Sequence, residues 1–372
     1  MDKNHTPPKN TTTHNPEKAA PQPAAHTTLI SGADITPRPI AWLWPSWLPK
    51  GKLTVLAGAA GDGKTTITLK VAATVSRGDT WPDGTSQAPI GNVVIWSGED
   101  DAADVLVPRL QAMGADLSRI HFVRASTDAK GRTKPFDPAK DLNLLKTAIH
   151  QLGHVELLIL DPIVSLVRGD MHKANDVRQS LEPVVELAAE CSAALIGITH
   201  FSKGSRSSNP ADRVLGSQAF GALARMVLVA VRDKQTNAGI LARAKTNITR
   251  SEGGIAYEIE EVTLCDSIQT TRINWRGALS GTAQELLEKV EASNAGGPSK
   301  VTSAESFLQE VLANGPVAAT EVFAAAERAG HSEAAIKRAR TTLQVVSERV
   351  GSGIGAHGFW KMRLPQPIPT RP

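Results

Sequence analysis

At 372 residues the chain has room for two or three domains of roughly 150 residues, each able to bury its own core. Its 41% hydrophobic content is ordinary, no run of about 18 apolar residues is present to span a bilayer, and the N-terminal segment does not read as a secretory signal; a membrane-spanning protein is excluded and a cytoplasmic one is expected. The net charge of +4 is a mild bias toward acidic partners, and the two cysteines, Cys191 and Cys265, stand isolated, which argues against a disulfide framework or a zinc site.

Residues 1–28 are Pro, Thr, Asn, Lys and Ala with almost nothing apolar, the composition of a disordered tail. Trp42, Trp44 and Trp47 then read as an apolar lead-in that packs on the next domain, in preference to a platform for stacking nucleobases. From 29 to 276, short β-rich runs alternate with helical stretches. Strands are predicted at Leu53–Gly58, Asn92–Ser97, His121–Ala125, Leu157–Asp161, Ala194–Thr199 and Met226–Arg232, with helices at Lys64–Ser76, Ala102–Met113, Leu142–Leu152 and Val177–Cys191. Runs around Gly239–Ala244, Ile255–Ile259 and Thr271–Trp275 read as antiparallel additions. The pattern predicts one α/β domain, a mostly parallel central sheet with helices on its faces.

Residues 277–302 read as a linker, with a helical piece opened by a capping box, Thr282 with Glu285, and then SNAGGPSK. Residues 303–364 read as a small helical domain. Thr302 with Glu305 caps a first helix, a second ends at Gly330, and Ser332 caps a third bearing Lys337, Arg338 and Arg340. VSERVGSGIGAHGFWKMRL then forms a β wing, and 365–372 is a Pro-rich tail.

The chemistry concentrates at strand ends. Gly58–Thr65 reads GAAGDGKT, a full GxxxxGK[ST] match between a predicted strand and a predicted helix. Gly58, Gly61 and Gly63 permit the dihedrals that turn successive amides of Gly58, Ala59, Ala60, Gly61, Asp62, Gly63, Lys64, Thr65 and Thr66 toward phosphate oxygens, aided by the helix N-terminus. Lys64 supplies a charge to the β and γ phosphates of ATP, and Thr65 offers its hydroxyl to Mg²⁺. Asp161 ends the apolar run LLILD, the position of an acidic partner for the same metal. Pro162 follows it, so a carboxylate that activates water must come from elsewhere. Glu99, in SGEDD at the end of the second strand, is the best placed, while Asp101 and Asp104 suit the dipole of the following helix. His200 ends another strand, at the same predicted sheet edge.

The order GAAGDGKT, SGED, LLILDP, THFSKG and RVLGSQAFGALAR, from Trp42 to Asp266, resembles the RecA-like core of RepA-type hexameric replicative helicases and related phage and plasmid ATPases. The resemblance implies that Glu99 is the catalytic carboxylate, that Asp161 helps hold Mg²⁺, that His200 senses the γ-phosphate, and that Arg225 is an arginine finger reaching a neighbour's ATP. It implies a homo-oligomer, a hexamer, with single-stranded DNA in a central channel. Where many ring helicases carry a Lys-x-Arg pair, this chain has Lys245 and Asn247, so either Arg225 acts alone or Arg243 or Arg250 substitutes.

The polar loop Lys203–Gln218 corresponds to channel loops, making Lys203, Arg206 and Arg213 DNA-backbone candidates; a solvated loop is the equal alternative. The C-terminal domain is similar to winged-helix domains, with Lys337, Arg338 and Arg340 as candidates for duplex DNA, against a plain helical interaction module. The segment Lys203–Arg250 holds nine basic residues against Asp212 and Asp233, although the whole chain is nearly balanced. The leading expectation is an ATP-driven DNA translocase or helicase of a mobile element. A DNA-binding regulatory or loading switch is the alternative, and a small-molecule kinase is more distant.

Overall fold

The computed structural model describes residues 27, 29–202, 209–214, 217–264, 267–294, 300–313, 315–329, 331, 333–350 and 359–365. The chain divides into two units at Pro39. In the first, the described residues form one 3-10 turn, Gly32–Asp34, opened by Ser31, whose hydroxyl accepts from the Ala33 amide. The expected tail lies outside the described residues, except for Thr27.

In the second unit a short hairpin, β1 (Trp42–Trp44) and β2 (Leu48–Pro49), leads into β3 (Leu53–Gly58) and α1 (Lys64–Arg77). β4 (Asn92–Ser97), α2 (Val107–Ala112) and β5 (Ile120–Phe122) follow, then a hairpin of β6 (Ala125–Thr127) and β7 (Thr133–Pro135). The chain continues through α3 (Leu142–Leu152), β8 (Val155–Asp161), α4 (Ala174–Glu190), β9 (Ala194–His200), α5 (Ser217–Leu223) and β10 (Met226–Arg232). A meander of β11 (Ala238–Thr246), β12 (Gly254–Thr263) and β13 (Gln269–Leu279) precedes α6 (Ala283–Asn294).

Nine strands form one sheet in the order β13-β12-β11-β10-β3-β9-β8-β4-β5. Neighbours from β10 to β5 run parallel, and β11, β12 and β13 add antiparallel. This is the mixed α/β, mostly parallel arrangement expected of a RecA-like P-loop core. Parallel strands covered on both faces read as near-continuous apolar runs, and β8 is buried at all seven positions, with Glu156 near its start paired to Lys50 and Asp161 at its end. Its alternate side chains feed two layers: Leu157 and Ile159 pack with Ile67 and Leu110, and Leu158 and Leu160 with Leu181 and Val184. The connection from β3 through α1 lands on β4, skipping β8 and β9, so β3 sits at a topological switch with its carboxyl end facing a crevice.

The tryptophans pack as the bland reading required. Trp44 is buried, stacks on Trp47 (4.9 Å) and Trp81 (4.8 Å), and donates its indole N–H to Asp83 at 3.0 Å. The expected helix from Ala102 instead opens with a wide π turn, Ala102–Leu106, because Pro108 has no amide to continue an α ladder back through it. Asp101 caps that turn, accepting from Ala103 N at 2.7 Å. The expected strand His121–Ala125 splits between β5 and β6.

The expected linker from Gly277 requires correction. β13 extends to Leu279, and α6 lays Ala283, Leu286 and Leu287 on Val229, Val231 and Ile240 of the sheet. The capping box is present in both directions, Thr282 N to Glu285 at 2.9 Å and Glu285 N to Thr282 Oγ1 at 3.3 Å, but the helix it opens is part of the core. Residues 295–299 lie outside the described residues.

The C-terminal segment has its own small core. α7 (Lys300–Leu312), β14 (Val317–Ala318), α8 (Ala319–Arg328), α9 (Glu333–Thr342), β15 (Val346–Val350) and β16 (Phe359–Arg363) enclose Leu308, Leu312, Val322, Ile336 and Met362. The three strands pair antiparallel in the order β14-β16-β15. α7 begins at Lys300, so Thr302 falls within the helix and not at its cap. Among the described residues no helix is long and apolar enough to cross a membrane.

Trp44 ties the lead-in hairpin to α1's following loop through two stacked rings. Trp44→Ala is expected to lower the unfolding free energy by about 3–5 kcal/mol, the range for deleting a large buried aromatic, as measured by urea denaturation of the full chain.

Candidate active site

The phosphate loop spans the gap between β3 and α1, and its glycines are dictated by what surrounds them. A Cβ on Gly58 would lie 2.6 Å from the Ala230 carbonyl oxygen of the adjacent β10. Gly63 is in the left-handed region at φ +79°, and a Cβ there would meet Ile259 Cδ1 at 2.5 Å. Between them Asp62 is buried and accepts from the Ala59 amide at 2.7 Å, closing the loop on itself. Burial pushes the Asp62 carboxyl up from its ordinary range, against the pull of the Ala59 amide and of Lys64. The hydroxyl of Tyr257, itself fully buried, donates to the Asp62 carbonyl at 2.6 Å, with the Val231 carbonyl at 3.3 Å.

Lys64 opens α1 and is buried. Its ammonium donates to the Ala59 carbonyl at 2.8 Å and lies 3.2 Å from His200 Nδ1. His200 ends β9, directly opposite Gly58 in the parallel ladder. Burial, and then the charge of Lys64, lower the pKa of His200, so its imidazole is neutral at pH 7 and Nδ1 serves as an acceptor. Lys64 is likewise lowered by burial, while Asp62, Asp161 and Glu99 oppose the shift.

The carboxylates converge from β8 and β4. Thr65 donates its hydroxyl to Asp161 Oδ2 at 2.6 Å. Burial pushes the Asp161 carboxyl up to about 6; the Thr65 hydrogen bond opposes this, and the neighbouring Glu99 and Asp100 add to it. Ser97, paired with Asp161 across the ladder, receives the Asp100 amide at 3.0 Å, and Arg109 from α2 pairs with Asp100 at 3.3 Å. Lys64, Thr65, Glu99, Asp161 and His200 thus line one cavity of about 370 Å³, which also contains Ala60, Gly61, Gly63 and Thr66. A buried acidic group beside a hydroxyl, with two further carboxylates near it, fits a divalent cation better than it fits its own three negative charges.

Other residues stand elsewhere. Arg225 precedes β10 at the amino-terminal edge of the sheet; its amide donates to the Leu53 carbonyl and its side chain is exposed. The length of β3 separates it from the phosphate loop, roughly 17–20 Å at the rise of a strand. Arg243 is removed as a substitute finger: half-buried, it lies over the Trp47 ring at 4.6 Å and donates to the Ser46 and Glu252 carbonyls. Arg250 is exposed.

The DNA candidates divide. Lys203 and Arg206 lie outside the described residues. Arg213, expected on a mobile polar loop, is buried and forms an ion pair with Glu291 of α6, while its carbonyl accepts from Ser202 N at 2.7 Å. A buried, paired guanidinium cannot also neutralise a DNA phosphate without breaking that pair. On α9, Lys337 is exposed and pairs with Glu333 one turn back at 2.7 Å. Arg340 donates to Ser347 of β15 at 2.8 Å, bracing helix to strand. The Arg338 side chain lies outside the described residues.

Arg109, Arg232 and Tyr257 belong to the site and were not marked by the sequence reading. Arg232 carried a usable signal, ending the apolar run MVLVAVR as Asp161 ends LLILD. Arg109 sits within a helix, and Tyr257 is the chain's single tyrosine, with no motif around it. Tyr257→Phe removes one buried hydrogen bond to the phosphate loop and keeps the ring. It is expected to cost about 1–2 kcal/mol in chemical denaturation and leave Asp62 O unsatisfied.

The crystal structure of the RadB recombinase is similar over 60% of this chain and 91% of that chain, at 15% identity and a TM-score of 0.41. No curated protein matches the sequence. A family described as AAA domain matches residues 18–206, just over half of the chain and including the phosphate loop, Glu99, Asp161 and His200. The chain belongs to this AAA domain family.

Proposed function

We propose that the protein is a Mg²⁺-dependent ATP hydrolase, a homo-oligomer of hexameric type, that moves along or unwinds DNA in the replication or maintenance of a mobile element. The observation that carries the hydrolase reading is the 2.6 Å contact between Thr65 and Asp161 in the cavity that also holds Lys64 and Glu99. Thr65 and Asp161 would hold Mg²⁺, which when bound neutralises charge on the phosphate oxygens. The loop amides and Lys64 bind the phosphates, Glu99 orients the attacking water, and neutral His200, in contact with Lys64, reports the state of the terminal phosphate.

Arg225 serves a neighbouring chain. Its exposed side chain at the far edge of the sheet supports a role in trans and opposes one in its own site. The winged-helix reading of residues 303–364 is supported by the strand order β14-β16-β15 around α8 and α9, with Lys337 exposed on α9. The competing reading is a DNA-binding switch that uses ATP only to change partners. The pairing of Arg213 with Glu291 favours it, by taking one cation away from the channel set.

Lys64→Ala is expected to reduce ATP turnover by roughly a hundredfold or more, the scale of losing an electrostatic stabiliser of the transferred group. Glu99→Gln should abolish turnover and retain nucleotide binding. Turnover that rises with single-stranded DNA, together with strand displacement, supports translocation; basal turnover indifferent to any DNA leaves the switch reading. Mixed Arg225→Ala and Glu99→Gln chains should recover part of the activity that neither has alone, because interfaces at which the Arg225→Ala chain supplies the site and the Glu99→Gln chain the finger join an intact Glu99 to an intact Arg225. No recovery at any mixing ratio rejects the finger in trans.

A further inference from the structure

Arg232 ends β10, the strand that lies beside β3, at the edge where β3 enters the phosphate loop. It lines the same cavity as Lys64, Glu99 and Asp161, and its Nη2 lies 3.7 Å from where a Cβ on Gly61 would stand. We propose that Arg232 is a second phosphate-binding cation of this site, acting within its own chain on the polyphosphate of the nucleotide held by Lys64. The proposal rests on the nucleotide reading above.

The guanidinium is held in place before any ligand arrives. Nη1 donates to Asn237 Oδ1 at 3.1 Å, and Asn237 adopts the left-handed conformation (φ 60°) in the turn that joins β10 to β11. That turn is itself fixed: Asn237 N donates to the Asp233 carbonyl at 2.9 Å, Ile259 N donates to the Asn237 carbonyl at 3.2 Å, and Asp233 accepts from Gln235 N at 2.7 Å. One residue before Arg232, the Val231 carbonyl shares the Tyr257 hydroxyl with the phosphate loop. Loop and guanidinium therefore move as one body, the condition under which a charged donor stabilises a ligand without first being ordered.

The charge balance of the cavity calls for such a donor. Glu99, Asp100 and Asp161 face it, and Asp62 lies behind the loop. Arg109 is engaged with Asp100, which leaves Lys64 to meet a polyphosphate among carboxylates. A planar guanidinium at the rim suits two phosphate oxygens at once, where an ammonium offers a point charge. Arg232 also stands near Asp62, so neutralising that carboxylate is the rival role, and a double substitution separates the two.

The test measures the dissociation constant of the full chain for a fluorescent ATP analogue with Mg²⁺, with thermal unfolding as a check on folding. Arg232→Ala is expected to weaken binding about tenfold or more, the scale of a lost charge-assisted hydrogen bond, and Arg232→Lys to recover part of it. The same loss should appear when Arg232→Ala is made on an Asp62→Asn background. If the loss vanishes on that background, or if Arg232→Ala binds as wild type while Lys64→Ala does not bind, Arg232 is no phosphate contact and the proposal is overturned. If wild type and Lys64→Ala bind alike, or neither binds, the nucleotide reading itself fails and this inference falls with it.

Discussion

The close approach of β3 to β10 governs the rest of the molecule. Gly58 has no side chain because the Ala230 carbonyl occupies the space one would need. That contact lets β3 sit between β9 and β10, and it sets Gly58 level with His200 of β9 and Ala230 of β10, with Arg232 two residues farther along its strand. Everything chemically pointed in the site hangs on this alignment. Lys64 meets His200 because Gly58 faces His200 across the ladder, and Asp161 meets Thr65 because β8 flanks β9. The loop is then clamped from behind by Ile259 and Tyr257, two residues of β12, so a strand added antiparallel to the core shapes the phosphate loop.

The same alignment crowds charge. Burial raises Asp161 and Asp62 and lowers Lys64 and His200, each toward its neutral form. Such a site is poorly satisfied by its own groups. The cost of keeping these charges in a buried crevice falls when a cation joins the carboxylates and an anion joins Lys64 and Arg232. Ligand binding and relief of electrostatic strain are one event here, which is a physical reason for so unfavourable a cluster to persist.

Much of this was legible in the residues. Strands of the parallel core announce themselves because burial on both faces demands continuous apolar runs, and α3 falls at Leu142–Leu152 as its pattern predicts. The site residues at strand ends were legible for the same reason, since a polar residue that terminates such a run must lie at a sheet edge. What could not be read was pairing at a distance. The Gly, Ser and Pro composition around Arg213 spoke for an exposed loop, but its guanidinium is buried against Glu291, far away in sequence. Arg243 carries the same lesson, its charge set over Trp47 by a contact across nearly two hundred residues. The apparent linker failed differently: its capping box was correct, yet whether a capped helix floats or packs depends on an apolar stripe, here Leu286 and Leu287, that found the exposed flank of β10 and β11.

The two edges of the sheet also separate the basic residues by task. The stretch from Lys203 to Arg250 is dense in cations, but it runs along the sheet twice, in β10 and β11, and so sends them to different places. Arg232 goes to the carboxyl-terminal edge beside the phosphate loop, and Arg225 goes to the opposite edge. Arg213 is buried against Glu291, and Arg243 is half-buried over Trp47. A local excess of charge in sequence is therefore not a patch in space. Among the described basic residues of that stretch, Arg232 alone lines the phosphate-loop cavity of its own chain, and a catalytic role for Arg225 requires a second chain placed so that the amino-terminal edge of one sheet meets the carboxyl-terminal edge of the next. A heterologous contact repeated around an axis meets that condition as a ring or a filament, and a two-fold pair meets it when each chain offers both edges to the other. The separation of the two edges by the length of β3 thus ties the role proposed for Arg225 to contact with a second copy of the chain.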